Sequence, residues 1–198
     1  MYDYIFIITM EKRTLFDTKK IVGTGLLTAL LIALQALSMV IPTGVNLNLS
    51  LIPITIGAIL YGPLVGAFLG LVSGGVVLLS PNTVTFFMAI SPVGTVIACL
   101  VKTTVAGLMA GFIYKWLNKV NDNFAVILAS VSVPLLNTLI FAVCTNIFFM
   151  GGLADLGVTN FIQIFTILIG FNFIFEIITN TIISPIIYRV LKVVKKGT

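Results

Sequence analysis

The sequence predicts an all-α integral membrane protein with six transmembrane helices, and three observations support this prediction. Hydrophobic residues make up 59% of the 198 residues, charged residues make up 9%, and the mean hydropathy is +1.20. A soluble domain of this size has too little interior to bury so much apolar surface. The apolar residues form runs of roughly 20, the length that crosses a bilayer as a helix. The basic residues cluster between these runs, which indicates membrane topology rather than a nucleic-acid-binding patch.

The first predicted span covers residues 21–41. The uncharged stretch 47–79 is 33 residues long. As one straight helix it would reach roughly 50 Å, beyond a bilayer core of roughly 30 Å. We therefore expect a break at residues 61–63, Tyr-Gly-Pro, which divides the stretch into spans two and three. The remaining predicted spans are residues 93–116, 124–150 and 159–188.

The charged residues test this count. With six spans, three basic clusters fall on one side of the membrane: Lys12, Arg13, Lys19 and Lys20; Lys115 and Lys119; and Arg189, Lys192, Lys195 and Lys196. The positive-inside rule makes that side the cytoplasm, so both termini are expected there. Five spans would place the middle cluster opposite the N-terminus. The outer connections 42–50, 80–91 and 151–158 carry one charged residue, Asp155.

We therefore expect residues 1–198 to form a single six-helix membrane domain, with residues 1–20 as a cytoplasmic N-terminal segment. The natural start is expected at Met10, because the nine residues before it lack the features of a signal peptide. The sequence contains no histidine and no G-x-x-x-x-G-K-[ST] motif, which argues against histidine-based catalysis and nucleotide binding by this chain. Cys99 and Cys144 lie in apolar runs and are interpreted as small hydrophobic residues rather than a disulfide.

Two charged residues remain inside the predicted membrane region, Lys102 and Glu176. Lys102 lies 13 residues from Lys115, and Glu176 lies 13 residues from Arg189. Both are therefore roughly 20 Å above the inner basic ring, at a depth where they can meet if their spans are neighbours. An isolated charge at mid-bilayer costs at least roughly 2.5–3.5 kcal/mol, so it usually has a partner or lines a polar cavity. The pair either orients two helices or belongs to a binding site.

Polar neighbours favour the binding site. Asn172, Glu176 and Asn180 recur every four residues and share one face of the last span, while Asn137, Thr138, Thr145 and Asn146 lie in the fifth span. A pocket with one ammonium group, one carboxylate and several amides suits a small polar or zwitterionic ligand. Thr103 and Thr104 beside the lysine could simply bond to their own helix carbonyls, which is their more ordinary role. Asn46 and Asn82 lie in outer turns, and Phe86 and Phe87 follow the second of them. These segments are either ordinary loops or a lid over a ligand, which Phe86 or Phe87 could then cover.

Small residues repeat at spacing four in two places. Gly62, Gly66, Gly70 and Gly74 form one stripe, which is expected to pack within the chain. Gly25, Ala29 and Ala33 form another stripe in the first span, where the partner could be a second protein.

Four stretches of the sequence form a recognisable set: "LSLIPITIGAILYGPLVGAFLGLVSG" from residue 49, "ISPVGTVIACLVKTTVAGLMAGFIYKWL" from residue 90, "LLNTLIF" from residue 135 and "FNFIFEIITNTIISPII" from residue 171. They resemble the substrate-binding S components of energy-coupling factor (ECF) vitamin transporters. The resemblance covers nearly all of the chain after Lys20. The L-I-P-I-x-x-G-A-x-L-x-G-P-x-x-G phrase and the N-T and E-x-x-x-N elements look closest to the pantothenate-type branch.

The resemblance implies a substrate-capture subunit of an ECF-type ABC importer in the bacterial plasma membrane, with no enzymatic activity, metal or cofactor of its own. Its implied partners are a small-molecule vitamin, an energising transmembrane subunit and two cytoplasmic ATPases, with no nucleic acid. Ala29 and Ala33 match the A-x-x-x-A motif that contacts the energising subunit. The implied pocket uses the first outer loop, the loop between helices three and four, and helices four to six.

The alternative prediction is a stand-alone small transporter or channel that works as an oligomer, with Lys102 and Glu176 lining its path. The absence of a visible inverted repeat argues against it. An intramembrane enzyme is a third class, disfavoured by the missing histidines and by a single carboxylate within the predicted spans.

Overall fold

The computed structural model describes residues 2–40, 48–154, 160–163 and 170–196, and these residues are almost entirely helical. A π-helical turn, Thr83–Phe87, lies between the third and fourth α-helices. The α-helices are α1 Tyr2–Val40, α2 Leu51–Tyr61, α3 Pro63–Leu78, α4 Met88–Ile90, α5 Pro92–Leu117, α6 Asp122–Phe148, α7 Met150–Ala154, α8 Phe161–Gln163 and α9 Gly170–Lys196.

Four segments of the described chain are long and apolar enough to cross a bilayer: Thr18–Met39, Pro92–Leu117, Asp122–Phe148 and Asn172–Val193. A fifth candidate is the bent pair formed by Pro63–Leu78 and Thr83–Ile90, whose axes differ by 72°. The apolar helix Leu51–Tyr61 is shorter. Length and composition therefore support an integral membrane protein with four or five candidate spans.

The predicted break between α2 and α3 is confirmed. Gly62 separates the two helices with a φ of 97°, a left-handed conformation that favours glycine, and Pro63 begins α3 at a position where its missing N–H is harmless. The hydroxyl oxygens of Ser50, which precedes α2, and Ser73, in the second half of α3, lie 2.6 Å apart. The break therefore folds residues 51–78 into an antiparallel hairpin.

Glycines allow α3 to pack closely against α5. A Cβ atom added at Gly66 would lie 2.9 Å from the Gly107 carbonyl carbon, and one added at Gly74 would lie 2.9 Å from the Leu100 Cα. Side chains larger than hydrogen would therefore separate the two backbones. The expectation that this stripe packs within the chain is confirmed, and the α3–α5 contact is the most extensive between any two described elements.

The remaining long helices pack around this centre. The first helix packs against α2 and α3, where Leu31 is fully buried together with Leu51 and Ile54. At the other side, α6 packs against α5, and α9 packs against α6 and α2. Helices from both halves of the chain therefore converge on α2 and α5.

The structure differs from the sequence prediction at three boundaries. The N-terminal segment is continuous with the first span, since α1 begins at Tyr2. The last long helix begins at Gly170 and continues past the predicted end at residue 188 to Lys196. The outer connection 80–91 was expected to consist of turns, and this expectation is wrong, because it is largely helical. Its Ser80 and Thr83 hydroxyl oxygens lie 2.6 Å apart and help to begin the helical segment.

Candidate functional site

The candidate site lies where α5, α6 and α9 meet Asn48, which lies three residues before the start of α2. Lys102 is half-buried on α5, and its Nζ lies 4.5 Å from the ring centroid of Phe141 on α6. This distance is within the range of a cation–π interaction, which is strongest where water is excluded. The ammonium group of Lys102 therefore faces the aromatic ring of Phe141.

Glu176 on α9 is 7% exposed and is held by hydrogen bonds. The side-chain amide of Asn137 and the backbone N–H of Asn48 both donate to its carboxyl group. Lys102 acts on the same carboxyl group electrostatically, so the two charges predicted to share a depth lie near each other. Within the described part of the chain, however, no direct ion pair joins them. The Asn137 amide and the Asn48 N–H, rather than Lys102, hydrogen-bond to the Glu176 carboxyl group.

Phenylalanine side chains form one wall of the site. The ring of Phe87 packs edge-on against Phe141 and Phe149, with centroid separations of 5.5 Å and 5.4 Å, and against Phe86 at 5.1 Å. The sequence analysis named both Phe86 and Phe87 as residues that could cover a ligand, and Phe87 is the one that contacts the ring beneath Lys102. Phe141 was not predicted, although it lies four residues after Asn137 and so on the same face of a helix.

Three buried polar atoms in this region have no hydrogen-bond partner among the described residues: Asn137 Oδ1, Thr145 Oγ1 and Thr104 Oγ1. Asn137 and Thr145 lie one turn before and one turn after Phe141 on α6. An unsatisfied buried polar atom costs about 1–3 kcal/mol, so such atoms are usually paired. Asn137 and Thr145 lie on the same face of α6 as Phe141, the ring beneath Lys102, and so offer hydrogen-bonding groups to a small polar ligand.

Asn180 takes part in helix contacts. It is 2% exposed, its Oδ1 accepts from the Thr55 hydroxyl at 3.2 Å, and its Nδ2 donates to the Glu176 carbonyl at 3.0 Å. These bonds join α9 to α2 and use both ends of the amide. Thr103 has the expected local role, donating to the Cys99 carbonyl at 3.0 Å. The same expectation is wrong for Thr104, whose buried hydroxyl has no partner among the described residues.

The other predicted site residues lie around this centre or outside the described chain. Asn172 is half-buried one turn before Glu176, and Asn82 is exposed at the start of the π-helical turn. Asn46 lies outside the described residues. Cys99 and Cys144 are buried free thiols. Among the described residues no group of three or more His, Cys, Asp or Glu could hold a metal ion.

The two alanines predicted to contact a partner lie on a separate surface. Ala29 and Ala33 are exposed on α1, and Gly25 on the same stripe has nothing within 4 Å of where a Cβ would stand. Leu31, by contrast, is fully buried against the α2–α3 hairpin. The stripe therefore faces away from the rest of the chain.

Comparison with protein families identifies the family of this chain. The model of the family described as "ECF transporter, substrate-specific component" matches residues 21–188. This range includes every described residue of the candidate site and the exposed stripe of α1. No curated protein and no solved structure matches the chain.

Proposed function

The chain belongs to the ECF transporter substrate-specific component family, and from this membership we propose that it captures a small vitamin or vitamin precursor, best represented by pantothenate, from outside the cell. Membership makes it a membrane-embedded transporter subunit that binds a small-molecule substrate and associates with an ECF module. The proposed membrane is the bacterial plasma membrane, crossed six times with both termini in the cytoplasm.

The observation that carries the substrate class is the environment of Lys102. Its ammonium group lies over the Phe141 ring, while the Glu176 carboxyl group is occupied by the Asn137 amide and the Asn48 N–H. The lysine is therefore available to an anionic ligand group. A carboxylate of a pantothenate-sized acid fits this requirement, because a charge-assisted hydrogen bond in a low-dielectric site is strong.

Hydrogen-bonding groups beside the lysine extend this argument. The unpartnered oxygens of Asn137 and Thr145 lie along one face of α6, and hydroxyl or amide donors of a ligand would satisfy them. Asn172 is proposed to bond a polar ligand group from α9. Phe86, whose ring contacts Phe87 of the aromatic wall, and Asn82 are proposed to border the outer side of the pocket. Glu176 is proposed to shape the pocket and to accept from a ligand hydroxyl.

For the partners, we propose that the exposed face containing Ala29 and Ala33 docks to the energising transmembrane subunit, which couples to two cytoplasmic ATPases. Small residues allow two transmembrane helices to approach closely, and the van der Waals contact then stabilises the association in lipid. The chain has no nucleotide-binding motif of its own, so the energy for uptake would come from the ATPases.

The first experiment is native mass spectrometry of protein purified in mild detergent, followed by melting-temperature shifts across a panel of water-soluble vitamins. We expect a bound pantothenate-sized acid, or the largest shift with pantothenate. Another vitamin would keep the capture function and overturn the choice of substrate. No bound vitamin, no shift and transport by the chain alone in liposomes would instead support a stand-alone transporter or channel.

The lysine is tested by substitution. We expect Lys102→Ala to weaken pantothenate binding by roughly tenfold to a hundredfold, as expected for the loss of a hydrogen bond to a charged group. Lys115→Ala is the matched control, because this exposed lysine lies on the same helix at its other end. Unchanged affinity of a folded Lys102→Ala variant in isothermal titration calorimetry would give the lysine a structural role.

A further inference from the structure

A chain of buried hydrogen bonds leads from α3 towards Glu176. The Ser73 and Ser50 hydroxyl oxygens lie 2.6 Å apart, and the Ser50 hydroxyl donates to Asn48 Oδ1 at 2.6 Å. Both serines are 0% exposed. Since a hydroxyl has one proton and that of Ser50 goes to Asn48, Ser73 is the donor to Ser50. The order of donation is therefore Ser73 to Ser50 to Asn48.

Asn48 is fixed at three points. Its side chain accepts from Ser50, its carbonyl accepts from the Leu51 N–H at 3.2 Å, and its own backbone N–H donates to the Glu176 carboxyl group. The last of these bonds crosses from the start of α2 to α9. The two serines thus help to fix the position of the Asn48 N–H, which donates to the Glu176 carboxyl group.

These two serines differ from other described serines of the long helices. Ser38, Ser130 and Ser184 donate to carbonyls of their own helix, which is the usual role of serine in a transmembrane helix. Ser50 and Ser73 instead bond to each other across the hairpin. A hydrogen bond between helices in an apolar region aligns both partners, because neither group has water as an alternative.

We propose that Ser50 and Ser73 are positioning residues for the substrate site: by fixing Asn48 they hold the Glu176 carboxyl group beside Asn137 and Lys102. The assignment rests on the proposed function of this site as a substrate pocket. It places two residues outside the pocket wall among the determinants of affinity. Neither serine was predicted from the sequence as part of the site.

The decisive test is a double-mutant cycle on the ligand-free protein. We expect Ser50→Ala to lower the melting temperature by about 4–8 °C, the shift that follows loss of its two hydrogen bonds, to Asn48 and from Ser73, in a chain of this size. In a Glu176→Leu background the same substitution should cause a smaller shift, because the two bonds are still lost but Asn48 then has no carboxyl group to hold. Equal shifts in the two backgrounds would overturn the proposal.

Ser130→Ala is the matched control, because Ser130 is also 0% exposed and bonds to the Val126 carbonyl of its own helix. Its effect should be the same with Glu176 or Leu at position 176. If Ser50→Ala does not fold, Ser73→Ala replaces it in the cycle. Its shift in melting temperature in the wild-type background should be smaller than that of Ser50→Ala. This shift should again be reduced when position 176 is Leu.

Binding supplies a second measurement, with pantothenate as the probe. Ser50→Ala should weaken binding by roughly tenfold, whereas Ser130→Ala should leave it unchanged. Equal affinity of wild-type and Ser50→Ala protein for pantothenate would show that the hydrogen bonds from Ser73 through Ser50 to Asn48 do not contribute to binding. If wild-type protein binds neither pantothenate nor another vitamin of the panel, the proposed function fails, while the melting cycle still decides whether the serines position Glu176.

Discussion

Two stripes of small residues with the same spacing have different surroundings in this protein. On α3, Gly66, Gly70 and Gly74 lie against the backbone of α5. On α1, Ala29 and Ala33 are exposed and Gly25 has open space beside it. One stripe is used for packing within the chain and the other is left uncovered. A small-x-x-x-small pattern therefore predicts that a helix can be approached closely, and the tertiary structure decides whether its own chain does so.

The largest effect is expected for a bulky residue in the covered stripe. Gly70→Leu should destabilise the protein by about 3 kcal/mol or more, because a Cβ at this position would stand 2.6 Å from the Thr103 carbonyl carbon and 2.8 Å from the Thr104 Cα. Neither backbone atom can move without separating α3 from α5. Thermal unfolding and size-exclusion chromatography in detergent measure the loss. A folded variant with normal stability would mean that the α3–α5 contact is looser than described.

Bulk in the uncovered stripe should affect function without affecting the fold. Ala29→Leu combined with Ala33→Leu should change stability by less than about 0.5 kcal/mol, as for exposed positions. Vitamin uptake by cells that contain the whole transporter should fall at least about tenfold, because the free energy of association with the energising subunit would weaken by about 1.4 kcal/mol or more. Thr181→Leu, at an exposed position of α9, is the control for added bulk at the membrane-facing surface. Normal uptake by the double variant would remove the docking assignment.

Neighbouring glycines on one helix provide a finer comparison. Gly74→Ala should destabilise by about 1–3 kcal/mol, because its Cβ would stand 2.5 Å from the Cys99 carbonyl oxygen. Gly75→Ala should be neutral or stabilising, since nothing lies within 4 Å of the added atom. Melting temperatures of both variants measure the difference. Equal effects would indicate that helix propensity, rather than contact with α5, determines the cost.

The smallest effect is expected at the start of the uncovered stripe. Gly25→Ala should stabilise the protein by about 0.5–1 kcal/mol, the difference in helix propensity between the two residues. The position is exposed and nothing lies within 4 Å of the new methyl group. Thermal unfolding of the isolated chain measures this gain. Destabilisation would mean that this surface is covered in the isolated protein.

The sequence predicted part of the geometry of the candidate site. Charge spacing placed Lys102 and Glu176 at a similar depth, because depth along a helix can be calculated from residue number. Their role in binding a ligand stays a prediction. The actual partners, the Phe141 ring and the Asn137 amide, depend on how each helix is rotated against its neighbours. The same dependence explains Asn180, whose spacing matched Glu176 but whose amide bonds to Thr55 on another helix.

The sequence by itself determined that the chain is an apolar helical membrane protein, where the central parts of its long helices lie, and that the helix pair 51–78 breaks at Gly62. These are local properties, since hydropathy, φ > 0 at glycine and the missing N–H of proline act over a few residues. The tertiary structure alone decided which small-residue stripe is covered, which ring lies beneath Lys102 and how Ser73 and Ser50 connect to Glu176. Such contacts depend on the relative rotation and depth of separate helices, which residue spacing within one helix does not specify.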